Sequence, residues 1–126
     1  GRKKEIIITA GGKNVAPAAL EDRIRENKLI SQCLVVGDGK PFVAAVITIN
    51  TDVWDGEVTD PDLLDAVQKI VDDANGQVSR AESIRKFVIM PQDWTEENGY
   101  LTPSMKLRRH AVLQDLHDTI ESMYVR

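Results

Sequence analysis

The sequence predicts a small α+β domain in which three helices pack against a mixed or antiparallel sheet. Short β-branched runs alternate with stretches in which apolar residues recur every three or four positions. The 126 residues are 42% hydrophobic and 29% charged, which is the length and balance of one globular domain. We therefore predict one domain over residues 1–126, with the element order β-β-α-β-β-α-β-α.

The first predicted feature is a β-hairpin with a glycine turn. Residues 6–9 (IIIT) are β-branched, residues 10–12 (AGG) form a turn signal, and residues 13–15 (KNV) extend again. A helix is expected next from Pro17, since proline suits a first turn and Leu20 and Ile24 lie four apart.

A second hairpin is predicted from two apolar runs, residues 34–36 and 42–49. The five residues between them, 37–41 (GDGKP), are a loop signal. Because residues 42–49 are almost wholly apolar, we expect a central strand that is buried on both faces.

The second half of the chain predicts helix, strand and helix. Asp60 and Pro61 are typical of a helix start, and Gly76 of its end. Residues 84–90 are strand-like, and helical periodicity returns from about Met105. The apolar stripes of these two helices are Leu63, Val67, Ile70, Val71 and Ala74, then Val112, Leu116, Ile120 and Met123.

Composition argues against several classes of protein. The net charge of −4 is unlike that of a nucleic-acid-binding domain. No apolar run approaches the roughly 20 residues of a transmembrane helix. The one cysteine, Cys33, cannot form an intrachain disulfide or a cysteine metal site, and it opens an apolar run typical of a buried thiol. We expect a soluble protein from a reducing compartment, and no metal site.

Candidate chemistry lies at the predicted start of the last helix. Thr102 or Ser104 is expected to cap this helix, which places Lys106 in its first turn with Arg108 and Arg109 close behind. Cations oppose the helix dipole there, so the cluster indicates an anion-binding site. The residues alone leave a solvated basic helix end equally open.

Other candidate residues have ordinary structural explanations. Gly11 and Gly12 are more typical of a turn that needs positive φ than of a ligand-binding backbone. His110 and His117 are seven residues apart, which is too far for a joint metal site. His117 and Glu121 have the spacing of a surface pair.

Two segments resemble motifs of the adenylate-forming enzymes, a superfamily of acyl-CoA synthetases, peptide-synthetase adenylation domains and beetle luciferases. Residues 1–17 (GRKKEIIITAGGKNVAP) with Leu20 and Glu21 are similar to the hinge-and-hairpin motif. Residues 98–109 (NGYLTPSMKLRR) are similar to the C-terminal lysine motif, in the form of the long-chain fatty-acid branch. Roughly ninety residues separate the motifs, as in that superfamily's C-terminal lid domain.

The resemblance implies a role for individual residues. Arg2 matches an arginine that contacts the nucleotide, and Lys4 matches the hinge about which the lid rotates. Gly12, flanked by Gly11 and Lys13, matches the hairpin that approaches the acyl group and pantetheine. Lys106 matches the lysine that bridges carboxylate and α-phosphate during adenylation. Met105, which precedes it, stands where most of the superfamily has glycine.

The resemblance also implies a reaction, its co-substrates and a partner domain. It predicts the lid of an ATP-dependent long-chain fatty acid–CoA ligase, with CoA as co-substrate. ATP and Mg²⁺ would be held mainly by an N-terminal adenylate-binding domain. That domain is expected to be absent from this chain, which begins with Gly1 rather than methionine. The isolated lid is expected to be inactive. A cytoplasmic location is expected, with peripheral membrane association of the whole enzyme left open. The alternatives are a lid from another acyl- or aryl-CoA synthetase branch and a non-catalytic protein-interaction module.

Overall fold

A computed structural model describes residues 6–125 and confirms the α+β class. Arg2 and Lys4 lie outside the described residues, so their predicted roles are not addressed by the fold. The elements are β1 (Ile7–Ile8), β2 (Asn14–Val15), α1 (Pro17–Arg25), β3 (Ile30–Val36), β4 (Val43–Ile49), α2 (Pro61–Asn75), β5 (Ile84–Ile89), α3 (Arg109–Asp115) and α4 (His117–Ser122).

The main sheet is mixed and has the order β3-β4-β5. Strands β3 and β4 are antiparallel, with Cys33 opposite Ile47, whereas β4 and β5 are parallel, with Val46 opposite Val88. Every residue of β4 is buried, which confirms the predicted central strand. The Cys33 thiol is also buried, and burial raises its pKa.

Strand β4 contributes to two separate cores because successive side chains point to opposite faces of a sheet. Val43, Ala45 and Ile47 belong to a first core with residues of α1 and α2. Ala44 and Val46 belong to a second core with residues of α3 and α4 and with Trp94. Helices therefore cover both faces of the sheet, which explains why β4 has no polar face.

The ends of α2 follow the sequence signals. The Asp60 carboxylate accepts a hydrogen bond from the Asp62 N–H at 2.8 Å, Pro61 is the first helical residue, and the helix ends before Gly76.

None of the helices within residues 6–125 has the length and apolar character needed to cross a membrane.

The last predicted helix differs from the structure at its start and in its middle. It begins at Arg109 rather than near Met105, because Leu101 and Leu107 pair as an antiparallel bridge and the chain between them reverses direction. It is also broken at Leu116, whose torsions (φ −102°, ψ 18°) are not helical. The described region therefore has four α-helices where three were expected, and the β3–β4 loop has six residues, 37–42, rather than five.

Candidate functional site

The glycine hairpin has the predicted strand–turn–strand form. Its turn is closed by the Thr9 N–H, which donates to the Lys13 carbonyl at 3.0 Å, and by the Gly12 N–H, which donates to the Thr9 carbonyl at 2.9 Å. Gly12 has φ +85°, so its conformation favours glycine. Apart from their chain neighbours, no described residue has an atom within 4 Å of where a Cβ would stand at Gly11 or Gly12. The backbone at the hairpin tip is therefore open to a ligand or a second domain.

Lys106 lies in a tight loop, not in the first turn of a helix as the sequence had suggested. We call residues 102–106 the lysine loop. Its ends are joined by the Thr102 N–H, which donates to the Lys106 carbonyl at 2.8 Å. Inside it, the Met105 N–H donates to the Thr102 carbonyl at 2.8 Å, and the Lys106 N–H donates to Thr102 Oγ1 at 3.1 Å. The lysine backbone is thus fixed on both sides by Thr102.

The side chain of Lys106 points away from this fixed backbone. The residue is exposed, and within the described part of the chain its ammonium group has no hydrogen bond or ion pair. Met105 beside it is 59% exposed and has φ +66°. Glycine adopts this left-handed conformation at little cost. The conformation therefore fits the glycine that the motif of the adenylate-forming superfamily has at this position.

The three cations predicted to form one anion site differ in their partners. The Arg109 guanidinium forms an ion pair with Glu21 of α1. Arg108 donates a hydrogen bond to the Gly99 carbonyl at 3.2 Å. Because the loop reverses the chain before α3 begins, the argument from the helix dipole does not apply to Lys106. Within residues 6–125, Arg109 thus has an acidic partner and Arg108 a carbonyl partner, whereas the ammonium of Lys106 has neither.

Glu21 is a buried acid that the sequence placed in the hinge-and-hairpin motif without assigning it a role. It is 6% exposed, and its Oε2 accepts the Val35 N–H at 2.7 Å while Oε1 faces Arg109. Burial raises the pKa of the carboxyl, opposed by the Val35 N–H and by Arg109. Residues 17, 20, 21 and 24 have the spacing of a buried helix face. The position of Glu21 in this face is the sequence signal from which its burial could have been predicted.

A cleft of about 360 Å³ opens between β1, the β3–β4 loop and the last two helices. Its lining combines apolar residues with a few charged ones, and both histidines border it, one from each of the last two helices. The predicted partner of His117, Glu121, forms its ion pair with Lys40 at 2.7 Å. The cleft is lined in part by Lys40, Arg109, His110 and His117.

The predicted site residues do not line this cleft. Gly11, Gly12, Lys13 and Lys106 are all exposed on two loops, and no hydrogen bond joins these loops within residues 6–125. Each loop is fixed separately to the body of the domain. Such an arrangement can complete a site on another surface, but it does not form an enclosed site by itself.

A family model for the AMP-binding enzyme C-terminal domain matches residues 4–126. The chain belongs to this family. This C-terminal domain is 50% identical to a long-chain-fatty-acid–CoA ligase, FadD15, of Mycobacterium tuberculosis, in a match that covers 98% of the chain and 23% of the relative. It is 33% identical to the long-chain-fatty-acid–CoA ligase ACSBG2 of Gallus gallus, over 98% of the chain and 20% of that relative.

Solved structures show the same fold in other adenylate-forming proteins. The adenylation domain of a carboxylate reductase from Mycobacterium chelonae matches with a TM-score of 0.83 at 23% identity, over 96% of this chain and 19% of that one. The A-PCP didomain of a carboxylic acid reductase from Segniliparus rugosus, solved with AMP, matches with a TM-score of 0.76 at 27% identity, over 98% and 18%. The C-terminal domain thus spans about a fifth of these proteins and of the curated relatives.

Proposed function

We propose that this chain is the mobile lid of an AMP-forming long-chain fatty acid–CoA ligase and supplies its adenylation lysine, Lys106. The observation that carries the proposal is an exposed ammonium group, unpaired within residues 6–125, on a loop whose backbone is fixed by three hydrogen bonds. The 50% identity to a long-chain fatty-acid ligase supports the choice of reaction.

In the first half-reaction, a carboxylate oxygen of the fatty acid attacks the α-phosphorus of ATP. A bond forms between that oxygen and phosphorus, and pyrophosphate leaves. Lys106 would neutralise negative charge on the reacting oxygens, which is a preorganised electrostatic role. A fixed backbone with a long, flexible side chain suits this task, because the contact is made and later withdrawn.

In the second half-reaction, the thiol of CoA displaces AMP from the acyl group. In our proposal the lid rotates about Lys4, withdraws Lys106 and presents the hairpin of Gly11, Gly12 and Lys13 to the pantetheine arm. Arg2 would contact the nucleotide near the domain junction. The open backbone at Gly12 supports this role, since a second molecule can approach it closely where no side chain intervenes.

The remaining requirements are assigned to the N-terminal adenylate-binding domain. No three histidine, cysteine or acidic side chains within residues 6–125 are grouped so as to hold a metal ion. We therefore propose that Mg²⁺, most of the ATP contacts and the acyl pocket belong to that domain, and that the lid alone is inactive. A cytoplasmic location follows as part of the proposal, because ATP and CoA are available there.

The alternatives predict different dependence on Lys106. A lid from an aryl- or short-chain branch would use the same lysine with another acid, so the acid tested distinguishes it. A protein-interaction module would not use the lysine in any acyl transfer. The match to an enzyme family over residues 4–126 supports a lid over such a module.

The test is made in the full-length ligase that contains this domain. Lys106→Ala is compared with Lys69→Ala, which removes another exposed lysine, on α2. Loss of a positioned electrostatic group predicts that fatty-acid-dependent pyrophosphate release falls by about 10²–10³-fold with Lys106→Ala. Lys69→Ala should leave the rate unchanged.

The second half-reaction provides an internal control. Thioester formation from supplied acyl-AMP and CoA should continue in the Lys106→Ala enzyme, because the lysine is withdrawn in that pose. Equal pyrophosphate release from native and Lys106→Ala enzymes would remove Lys106 from the adenylation chemistry.

A further inference from the structure

The glycine hairpin is paired on its outer side with a second chain segment. Gly39 N–H donates to the Ile8 carbonyl at 2.8 Å, and Ala10 N–H donates to the Lys40 carbonyl at 2.8 Å. The carboxylate of Asp38 accepts the Ile8 N–H at 3.1 Å. Three consecutive residues of the β3–β4 loop therefore satisfy the outward backbone groups of the hairpin. We call Asp38–Lys40 the brace.

The brace is itself anchored to the C-terminal end of the domain. Lys40 Nζ donates to Glu121 Oε1 of α4 at 2.7 Å and lies 5.4 Å from the ring centroid of Tyr124. The Tyr124 ring packs on Phe42 with centroids 4.6 Å apart, and its hydroxyl donates to the Phe42 carbonyl at 3.1 Å. The side chain of Lys40 thus connects the hairpin segment to the second core.

The hairpin needs such support because its own pairing is very short. Strands β1 and β2 have two paired positions, Ile7 with Val15 and Ile8 with Asn14. A two-stranded hairpin of this length is marginal by itself in water. The position of its tip, Gly11 and Gly12, therefore depends on the contacts between the β1 side of the hairpin and the brace.

We propose that Asp38 and Lys40 are positioning residues that hold the glycine hairpin in the pose required for the CoA-dependent half-reaction. The inference rests on the proposed function of that hairpin. In this step the CoA sulfur forms a bond to the acyl carbonyl carbon, the bond from that carbon to the AMP oxygen breaks, and AMP leaves. The thiol proton is released to solvent. The brace contacts neither reactant and acts through the hairpin alone.

The first test measures amide hydrogen exchange in this chain. Asp38→Ala removes the acceptor of the Ile8 N–H, whereas Asp38→Asn keeps an oxygen there. Lys40→Met removes the ammonium but keeps the apolar stem, whereas Lys40→Arg keeps a cation for Glu121. Since all four changes are at a surface loop, the core should stay folded.

The expected result is faster exchange at the hairpin and unchanged exchange in β4. Loss of its hydrogen bond to Asp38 predicts about a tenfold rise at Ile8 for Asp38→Ala. Lys40→Met keeps the carbonyl that accepts the Ala10 N–H but releases the brace from Glu121, so we expect a smaller, several-fold rise at Ala10. Asp38→Asn and Lys40→Arg should restore most of the protection. Unchanged exchange at Ile8 and Ala10 in the Ala and Met variants would overturn the brace.

The second test separates the half-reactions in the full-length ligase. Lys40→Met should lower thioester formation from acyl-AMP by several-fold and raise KM for CoA, with adenylation rate unchanged and rescue by Lys40→Arg. A general loss of stability would lower both half-reactions together. Lys69→Met is the matched control, because it is an exposed lysine on α2 with no ion pair among the described residues.

Gly12→Val distinguishes failure of this inference from failure of the proposed function. Impaired thioester formation in both Gly12→Val and Lys40→Met supports the brace. Impairment in Gly12→Val alone overturns the brace and leaves the role of the hairpin intact. Normal thioester formation in both variants overturns the role of the hairpin, and the brace with it.

Discussion

The carboxylate of Glu21 and the guanidinium of Arg109 form an ion pair between residues 88 positions apart in the chain. Glu21 lies in α1, which follows the glycine hairpin, and Arg109 is the first residue of α3, which follows the lysine loop. Their side chains are 8% and 24% exposed. This pair therefore connects the two elements that carry the loops on which the proposed reaction depends.

Removing the acid should destabilise the domain. Glu21→Ala leaves Arg109 without its partner and the Val35 N–H without its acceptor. Breaking a buried pair typically costs 3–5 kcal/mol, and since Arg109 is partly exposed we expect about 2–3 kcal/mol in the free energy of unfolding. Urea denaturation measures this loss. Glu26→Ala, which removes an exposed acid 3.6 Å from Arg23, is the control and should have little effect. Equal stability of both variants would show that the Glu21–Arg109 pair contributes nothing.

The same acid should give stability a recognisable pH dependence. Burial raises the folded-state pKa of Glu21 above its ordinary value of 4.5. A raised pKa means that the folded state holds this proton more tightly than the unfolded state does. The stabilising contribution is therefore complete below pH 4.5 and is lost as pH rises through the folded-state pKa.

Glu21→Gln isolates this contribution, because glutamine has the same shape and does not titrate. The free energy of unfolding of the native chain minus that of Glu21→Gln should decrease as the pH is raised above 4.5. Parallel curves across this range would contradict a raised pKa. The other acids are common to both proteins, so their titration cancels in the difference.

The sequence was most informative where a local signal and the tertiary environment agree. Strand β4 is apolar at nearly every position because helices cover both faces of the sheet, and the pattern predicted this burial correctly. The ends of α2 were also predicted, since Asp60 and Pro61 act locally through the cap and the first turn.

The lysine loop could not be predicted from periodicity. Helical periodicity predicts a start near Met105, whereas Leu107 pairs with Leu101 across the loop. Positive φ at Met105 has no signal in a non-glycine residue. The partner of Glu21 was also beyond sequence reasoning, because the contact with Arg109 arises only when α1 and α3 meet in the fold.

Met105 provides a test of backbone strain in the lysine loop. Its left-handed conformation costs roughly 1–2 kcal/mol for a residue with a side chain, while glycine gains freedom in the unfolded state. Because the side chain is 59% exposed and little packing is lost, we expect Met105→Gly to stabilise the domain by about 0.5 kcal/mol. Met105→Val should destabilise it by about 1 kcal/mol, since β-branched residues tolerate positive φ least. In thermal unfolding, the midpoint temperature should decrease in the order Met105→Gly, native chain, Met105→Val. Equal midpoints for the glycine and valine variants would refute the left-handed conformation at Met105.

Thr102 should control the position of Lys106. Its hydroxyl oxygen accepts the Lys106 N–H at 3.1 Å and lies 3.0 Å from the Ser104 hydroxyl. Thr102→Val keeps the shape but removes the acceptor, whereas Thr102→Ser keeps the hydroxyl. We expect amide exchange at Lys106 to rise by up to about tenfold with valine and to stay near the native rate with serine.

The consequence for catalysis follows from the same contact. In the full-length ligase, a less fixed Lys106 backbone should lower fatty-acid-dependent pyrophosphate release with Thr102→Val, because small displacements of a positioned charge weaken its effect on the reacting oxygens. Thr102→Ser should retain the native rate, and thioester formation from supplied acyl-AMP should be unchanged in both variants. If valine raises amide exchange at Lys106 but leaves pyrophosphate release unchanged, adenylation does not depend on the fixed geometry of the lysine loop, and the long side chain alone is sufficient to place the ammonium.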